Sequence, residues 1–125
     1  KFDRDYHQTP SADLVAGGKL TIDYDPARCS TLQHTHNGYP AWGIEGYVRF
    51  LPSGEVKSGS VMQFENQYGS YVHPLNPLPQ PWTVDIPKDA TGVEIWFRNF
   101  TGADRPAEAY DSNYGKNYRF DVKKP

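Results

Sequence analysis

The sequence has a single cysteine, Cys29, and a single methionine in 125 residues. One thiol excludes an internal disulfide and the cysteine-rich zinc sites, so packing and backbone pairing must hold the fold unaided. No apolar run approaches the roughly 20 residues that cross a bilayer as a helix. Positive charge is not in excess either: the formal net charge is −2, whereas a nucleic-acid partner normally requires a basic face to neutralise phosphates. Neither a membrane nor a nucleic acid is therefore expected as a partner. A Gly-rich phosphate loop and a nucleophile elbow are missing, and Cys29 has no recognisable His partner, so the chain is not expected to be an enzyme. The opening Lys1-Phe2-Asp3-Arg4 is polar, so no leader is expected in these residues. The compartment stays open, with an extracellular setting the one leaned to.

What is abundant is aromatic and turn-forming. Nine Tyr, six Phe and three Trp accompany eleven Gly and eleven Pro, a mixture that disfavours helices and suits short strands joined by tight turns. Residues 1–17 read as an extended arm, with at most a short edge strand, and residues 18–125 as one domain. Leu20, Ile22 and Tyr24 alternate with Lys19, Thr21 and Asp23, which predicts a half-buried strand stopped by Asp25-Pro26. Ala27 to Pro40 reads as a polar loop with a turn at Asn37-Gly38. Ile44, Val48 and Phe50 share one face of a strand over Gly43 to Leu51, and Glu45, Tyr47 and Arg49 share the other. Pro52-Ser53-Gly54 turns that strand into a second one over 55–64, where Gly59 suggests a bulge. Further strands are predicted at Trp82–Ile86, Val93–Phe97 and Tyr118–Val122, with Thr101 to Lys116 as a polar loop. About six to eight short strands without an amphipathic helix predict an all-β, antiparallel, immunoglobulin-like β-sandwich.

The chemistry concentrates in Tyr110-Asp111-Ser112-Asn113-Tyr114-Gly115-Lys116-Asn117-Tyr118. Phenol rings supply flat apolar faces and Asn side chains supply paired donors and acceptors, a combination suited to a sugar with its C–H faces and rim of hydroxyls. The segment resembles the W-D-N-N-x-G-x-N-Y signature of the starch- and glycogen-binding modules found on amylolytic enzymes, starch synthases and glycogen-targeting phosphatase subunits. Asp111, Asn113, Gly115, Asn117 and Tyr118 occupy matching positions, while Tyr110 stands where the signature has Trp and Ser112 replaces an Asn. Val93-Glu94-Ile95-Trp96-Phe97 is similar to the strand that precedes the signature in those modules. Gly38 to Phe50 and the C-terminus also resemble small bacterial β-sandwich domains of unassigned function. The resemblance implies an immunoglobulin-like sandwich, and an α-glucan as the ligand.

Parity sorts the candidates. Trp96 alternates outward with Glu94 and Arg98, and Tyr47 with Glu45 and Arg49, so these rings should form a wet-edged stacking platform if their strands share a sheet. Tyr118 falls in register with Phe120 and Val122, and Trp82 with Val84 and Ile86, which points both inward. The expected ligand contacts are Trp96, Tyr110 and Tyr114, with Tyr47 and Tyr118 beside them and Asp111, Asn113 and Asn117 bonding the ligand or shaping the loop. The partner is then a polysaccharide or oligosaccharide. The rival reading is a protein partner held by the Tyr- and Pro-rich loop 68–82, with Tyr68, Tyr71 and His73 at its start.

Metal sites have thinner support. His34-Thr35-His36 places two imidazoles on one strand face, with His7 and His73 as candidates to complete a set. Asp111-x-Asn113-x-Gly115 has calcium-loop spacing without the acidic density or closing Glu of that pattern. No cofactor is expected, with calcium the one ion held open. Carboxylate pairs such as Asp23 with Asp25 or Glu45 with Glu94 read as solvated surface charge rather than glycosidase pairs. Asn99-Phe100-Thr101 has the form of a glycosylation sequon.

Overall fold

Branched and aromatic side chains at every second position bury one face of an extended segment, and the chain satisfies them with strands. The computed structural model describes residues 1–4, 8, 10, 12–29, 32–36, 39–64, 77–102 and 106–125. Its strands are β1 (Leu14–Val15), β2 (Lys19–Ile22), β3 (Thr35–His36), β4 (Tyr39–Pro40), β5 (Trp42–Leu51), β6 (Val56–Ser60), β7 (Met62–Phe64), β8 (Pro77–Pro79), β9 (Trp82–Asp85), β10 (Gly92–Thr101), β11 (Ala107–Asp111) and β12 (Tyr118–Lys123). A 3-10 turn over Pro26–Cys29 interrupts them.

The main sheet runs β1-β12-β10-β5-β6, with β11 also paired to β10. Its ladders are antiparallel except β1–β12, which is parallel. β2 and β9 form a second, smaller layer. Leu20, Ile22, Val84 and Ile86 from that layer share one buried cluster with Ile44, Val48, Phe50, Val93, Ile95 and Phe97 from the main sheet. The fold is thus all-β and sandwich-like, with most of its apolar area between the layers. The alternation on β5 holds residue by residue: Ile44, Val48 and Phe50 are buried, and Glu45, Tyr47 and Arg49 lie half-exposed on the outer face.

Gly59 does not mark a bulge. It pairs in regular register with Gly46 on β5, and the missing side chains make room for an indole. A Cβ on Gly59 would lie 2.4 Å from Trp82 Nε1, and one on Gly46 would lie 3.2 Å from Trp82 Cε3. Trp82 therefore seats on two glycines, half-buried against the core.

Three segments differ from their sequence pattern. Ala107–Asp111, inside the expected polar loop, is strand β11, because five consecutive positions pair with β10 and pairing outweighs the poor strand propensity of Ala and Glu. Residues 55–64 do not form one continuous strand: β6 ends at Ser60, and β7 pairs with the proline-containing β8. Phe2, in the expected arm, is 3% exposed and packs its ring 4.9 Å from Phe97 and 5.3 Å from Tyr118.

Candidate functional site

The signature segment is an excursion from an otherwise continuous strand. β11 leaves β10 at Asp111, opposite Phe97, and β12 rejoins at Tyr118, opposite Ile95. Between them Ser112 to Asn117 loop outward, leaving only Trp96 without a partner on that side. Asn113, Tyr114, Gly115 and Asn117 take φ values of 49°, 58°, 84° and 61°, the left-handed region that Gly and Asn enter most readily. Asn117 N–H donates to Ser112 O at 2.7 Å and Gly115 N–H to Ser112 Oγ at 3.2 Å, closing the loop. Asn113 Nδ2 adds a bond to Asn117 O at 3.4 Å. The signature's Asn and Gly residues thus have a backbone reason to be here.

Its Asp and final Tyr have a second reason. The Asp111 carboxylate accepts Tyr24 Oη at 2.7 Å, Arg28 Nε at 3.0 Å and Tyr118 Oη at 2.5 Å. Arg28 also donates through Nη2 to Tyr118 Oη at 2.9 Å and through Nη1 to Asp3 O at 3.2 Å. Its guanidinium lies against the Phe2, Tyr24 and Tyr118 rings, and its side chain has no exposure. Burial would pull the Arg28 pKa down, but the Asp111 charge and hydrogen bond outweigh it and raise it. Burial, then the hydrogen bond and charge of Asp111, push the Tyr118 phenol up to about 12. Tyr24 is displaced further upward, by burial first and Asp111 second. Burial and Asp111 also raise the Cys29 thiol, which keeps it protonated and unreactive. Asp111 and Tyr118, expected among the ligand contacts, are therefore buried and tie the loop to Arg28.

On the solvent side of this anchor lies a shallow groove of about 570 Å3. Arg28, Asp111 and Tyr118 line its interior, with Tyr110, Ser112, Asn113, Tyr114 and Gln8 around them. Tyr114 is fully exposed and Tyr110 is 53% exposed. Gln8 Oε1 is buried and has no hydrogen-bond partner among the described residues. The groove thus offers two exposed phenols and the Asn113 amide.

Across the strand lies the outer face of the sheet. Tyr47 and Trp96 are direct cross-strand partners, and their rings are parallel within 4° at 5.4 Å between centroids. Parallel rings that close are offset-stacked and cannot lie side by side in one plane, so each covers one face of the other, and both residues stay half-exposed. Tyr47 Oη donates to Glu45 Oε2 at 2.9 Å; burial and that bond raise its pKa. Glu94, expected in solvent, is 7% exposed. Arg49 bonds it from one side, Arg119 Nη2 stands 3.0 Å away on the other, and Asn117 Nδ2 donates at 3.3 Å. The Arg49 hydrogen bond, against the opposing cost of burial, holds the Glu94 carboxyl below its usual range, helped by Asn117 and Arg119. Asn117 thereby links the loop to the sheet face, and Tyr110 stands on β11 opposite Arg98.

The remaining sequence candidates separate from this surface. Asn99 is fully buried and donates to Leu32 O and Gly43 O while accepting Leu32 N–H, so the sequon cannot be reached in the folded chain. Among the described residues no three His, Cys, Asp or Glu side chains come together as a metal set. His7, Tyr68, Tyr71 and His73, with most of the loop proposed for a protein partner, lie outside the described residues. Sequence reasoning missed Arg28, Tyr24 and Gln8. Tyr24 carried a burial signal, whereas Arg28 and Gln8 sat in segments without periodicity.

Fold and site together define a small sandwich-like domain with a tyrosine-lined groove beside an aromatic and charged sheet face. A family model matches residues 1–123, and the chain belongs to that family, DUF6209, a family of unknown function. This agrees with the coarser resemblance, to small domains of unassigned function. No curated protein and no solved structure matches the chain.

Proposed function

We propose that this domain is a non-catalytic carbohydrate-binding module. The observation that carries the reading is the pair of exposed phenols, Tyr110 and Tyr114, beside a groove whose interior is locked by Arg28, Asp111 and Tyr118. A fully exposed Tyr at a loop tip adds nothing to packing, so its apolar face is available to stack on a sugar. The exposed Asn113 amide can both donate to and accept from hydroxyls. Trp96 and Tyr47 extend the surface across the sheet. The signature makes an α-glucan the first ligand to test. Affinity is modest, because a shallow groove buries little area against the entropy of fixing a sugar chain.

Native electrophoresis in gels with and without amylopectin or glycogen tests this. The wild-type chain is expected to be retarded by polysaccharide, Tyr114→Ala and Trp96→Ala to lose most of the retardation, and the exposed control Val56→Ala to keep it. Wild-type mobility unchanged by amylopectin and by glycogen rejects the α-glucan ligand.

A further inference from the structure

Arg49, Glu94 and Arg119 form a straight row across three strands, since both arginines are cross-strand partners of Glu94. The row lies two residues along β10 from the Tyr47–Trp96 pair, roughly 7 Å away on the same face. Glu94 bonds to Arg49 and stands 3.0 Å from Arg119 Nη2, so two cations share one anion. Arg49 donates one hydrogen bond to Glu94 through Nη2, Arg119 meets it as an ion pair, and neither guanidinium makes a further hydrogen bond among the described residues. The side chains are 43% and 65% exposed, so both reach solvent beside the stacked rings, although Arg49 Nε itself is buried. Asp121, the next residue on that face of β12, forms no ion pair among the described residues.

We infer that this row is a seat for a carboxylate carried by the bound glycan, so that the ligand contains uronic acid units. A guanidinium presents planar paired donors that match a carboxylate. The neighbouring indole and phenol supply the face on which the same sugar ring rests. The inference builds on the carbohydrate reading and narrows its ligand away from a neutral glucan.

Calorimetric titration with galacturonate oligomers, their fully methyl-esterified counterparts, glycogen and polyglutamate tests it. The acid oligomer is expected to bind at least about tenfold more tightly than its ester, a preference lost in Arg119→Gln and partly kept in Arg119→Lys. Arg119 is the more exposed of the pair, so these variants leave the fold intact, as circular dichroism would confirm. Equal binding of acid and ester, or an acid preference untouched by Arg119→Gln, overturns the carboxylate seat while leaving the carbohydrate reading in place. Polyglutamate binding as tightly as the acid oligomer also overturns it, by showing attraction to charge alone. Failure of every glycan, glycogen included, rejects the carbohydrate reading and the seat with it.

Discussion

Two arginine–carboxylate clusters sit on opposite faces of the main sheet. On the inner side Asp111 receives Arg28, Tyr24 and Tyr118; on the outer side Glu94 bonds to Arg49 and Asn117, with Arg119 paired to it. Both contain one carboxylate and guanidinium partners, yet they differ in access. Arg28 has no exposure, and three of its nitrogens are bonded to Asp111, Tyr118 and Asp3. Arg49 and Arg119 are open and hold donors in reserve. The same pairing chemistry thus serves as a sealed anchor in one place and as an available surface in the other; both carboxylates are buried, and the exposure of the arginines decides which. A sealed pair is costly to break because its partner is left as an uncompensated buried charge. An open pair contributes little to stability because water and salt compete with it.

The largest expected effect breaks the inner cluster: Asp111→Ala should lower unfolding free energy by roughly 3–5 kcal/mol in urea titration, leaving Arg28 unpaired. Next comes alkaline pH. Tyr24 and Tyr118 bind their protons more tightly folded than unfolded, so their contribution is complete below the unfolded value of 10.0. It is lost as pH climbs above that value, and for Tyr118 fully so by about 12. Denaturation midpoints should therefore fall above pH 10, and Tyr118→Phe should flatten part of that fall. Glu94 works at the other end of the scale. Its folded pKa is depressed below 4.5, so its contribution is present above that value and fades as pH drops below it. Glu94→Gln should cost only about 1 kcal/mol and remove some of the acid sensitivity while leaving the alkaline branch unchanged. The smallest stability effect belongs to Tyr114→Ala, within about 0.5 kcal/mol of wild type, although glycan retention should be lost. Loss of stability in that variant would make Tyr114 part of the anchor and blur the division.

The inner and outer faces are largely legible in the pattern of side chains along the chain. Alternation places Ile44, Val48, Phe50, Val93, Ile95 and Phe97 inward, and Tyr47 and Trp96 outward on what proves to be one ladder. What local pattern hides is long-range. Arg28 lies 83 residues from Asp111 in the chain, in a segment whose polarity suggests a loop. Asp111 itself falls in a stretch where Ala107 and Glu108 mask the strand, so its inward parity leaves no signal. Parity gives Glu94 the correct face but the wrong exposure, because cover by two arginines from neighbouring strands leaves no local mark. Gly59 signals that something unusual happens there, but only Trp82 across the core tells a slot from a bulge.

The excursion of Ser112 to Asn117 has a consequence for how this scaffold can change. The strand departs and resumes with a single opposing position skipped, so the two ends of the loop stay together whatever lies between them. Doubling the length of such a segment adds only about 0.6 kcal/mol of closure entropy. The flanking Asp111 and Tyr118 are clamped from beneath by Arg28. The domain therefore carries an interchangeable cassette, a place where foreign sequence can be spliced into a β-sheet without disturbing the register of its neighbours.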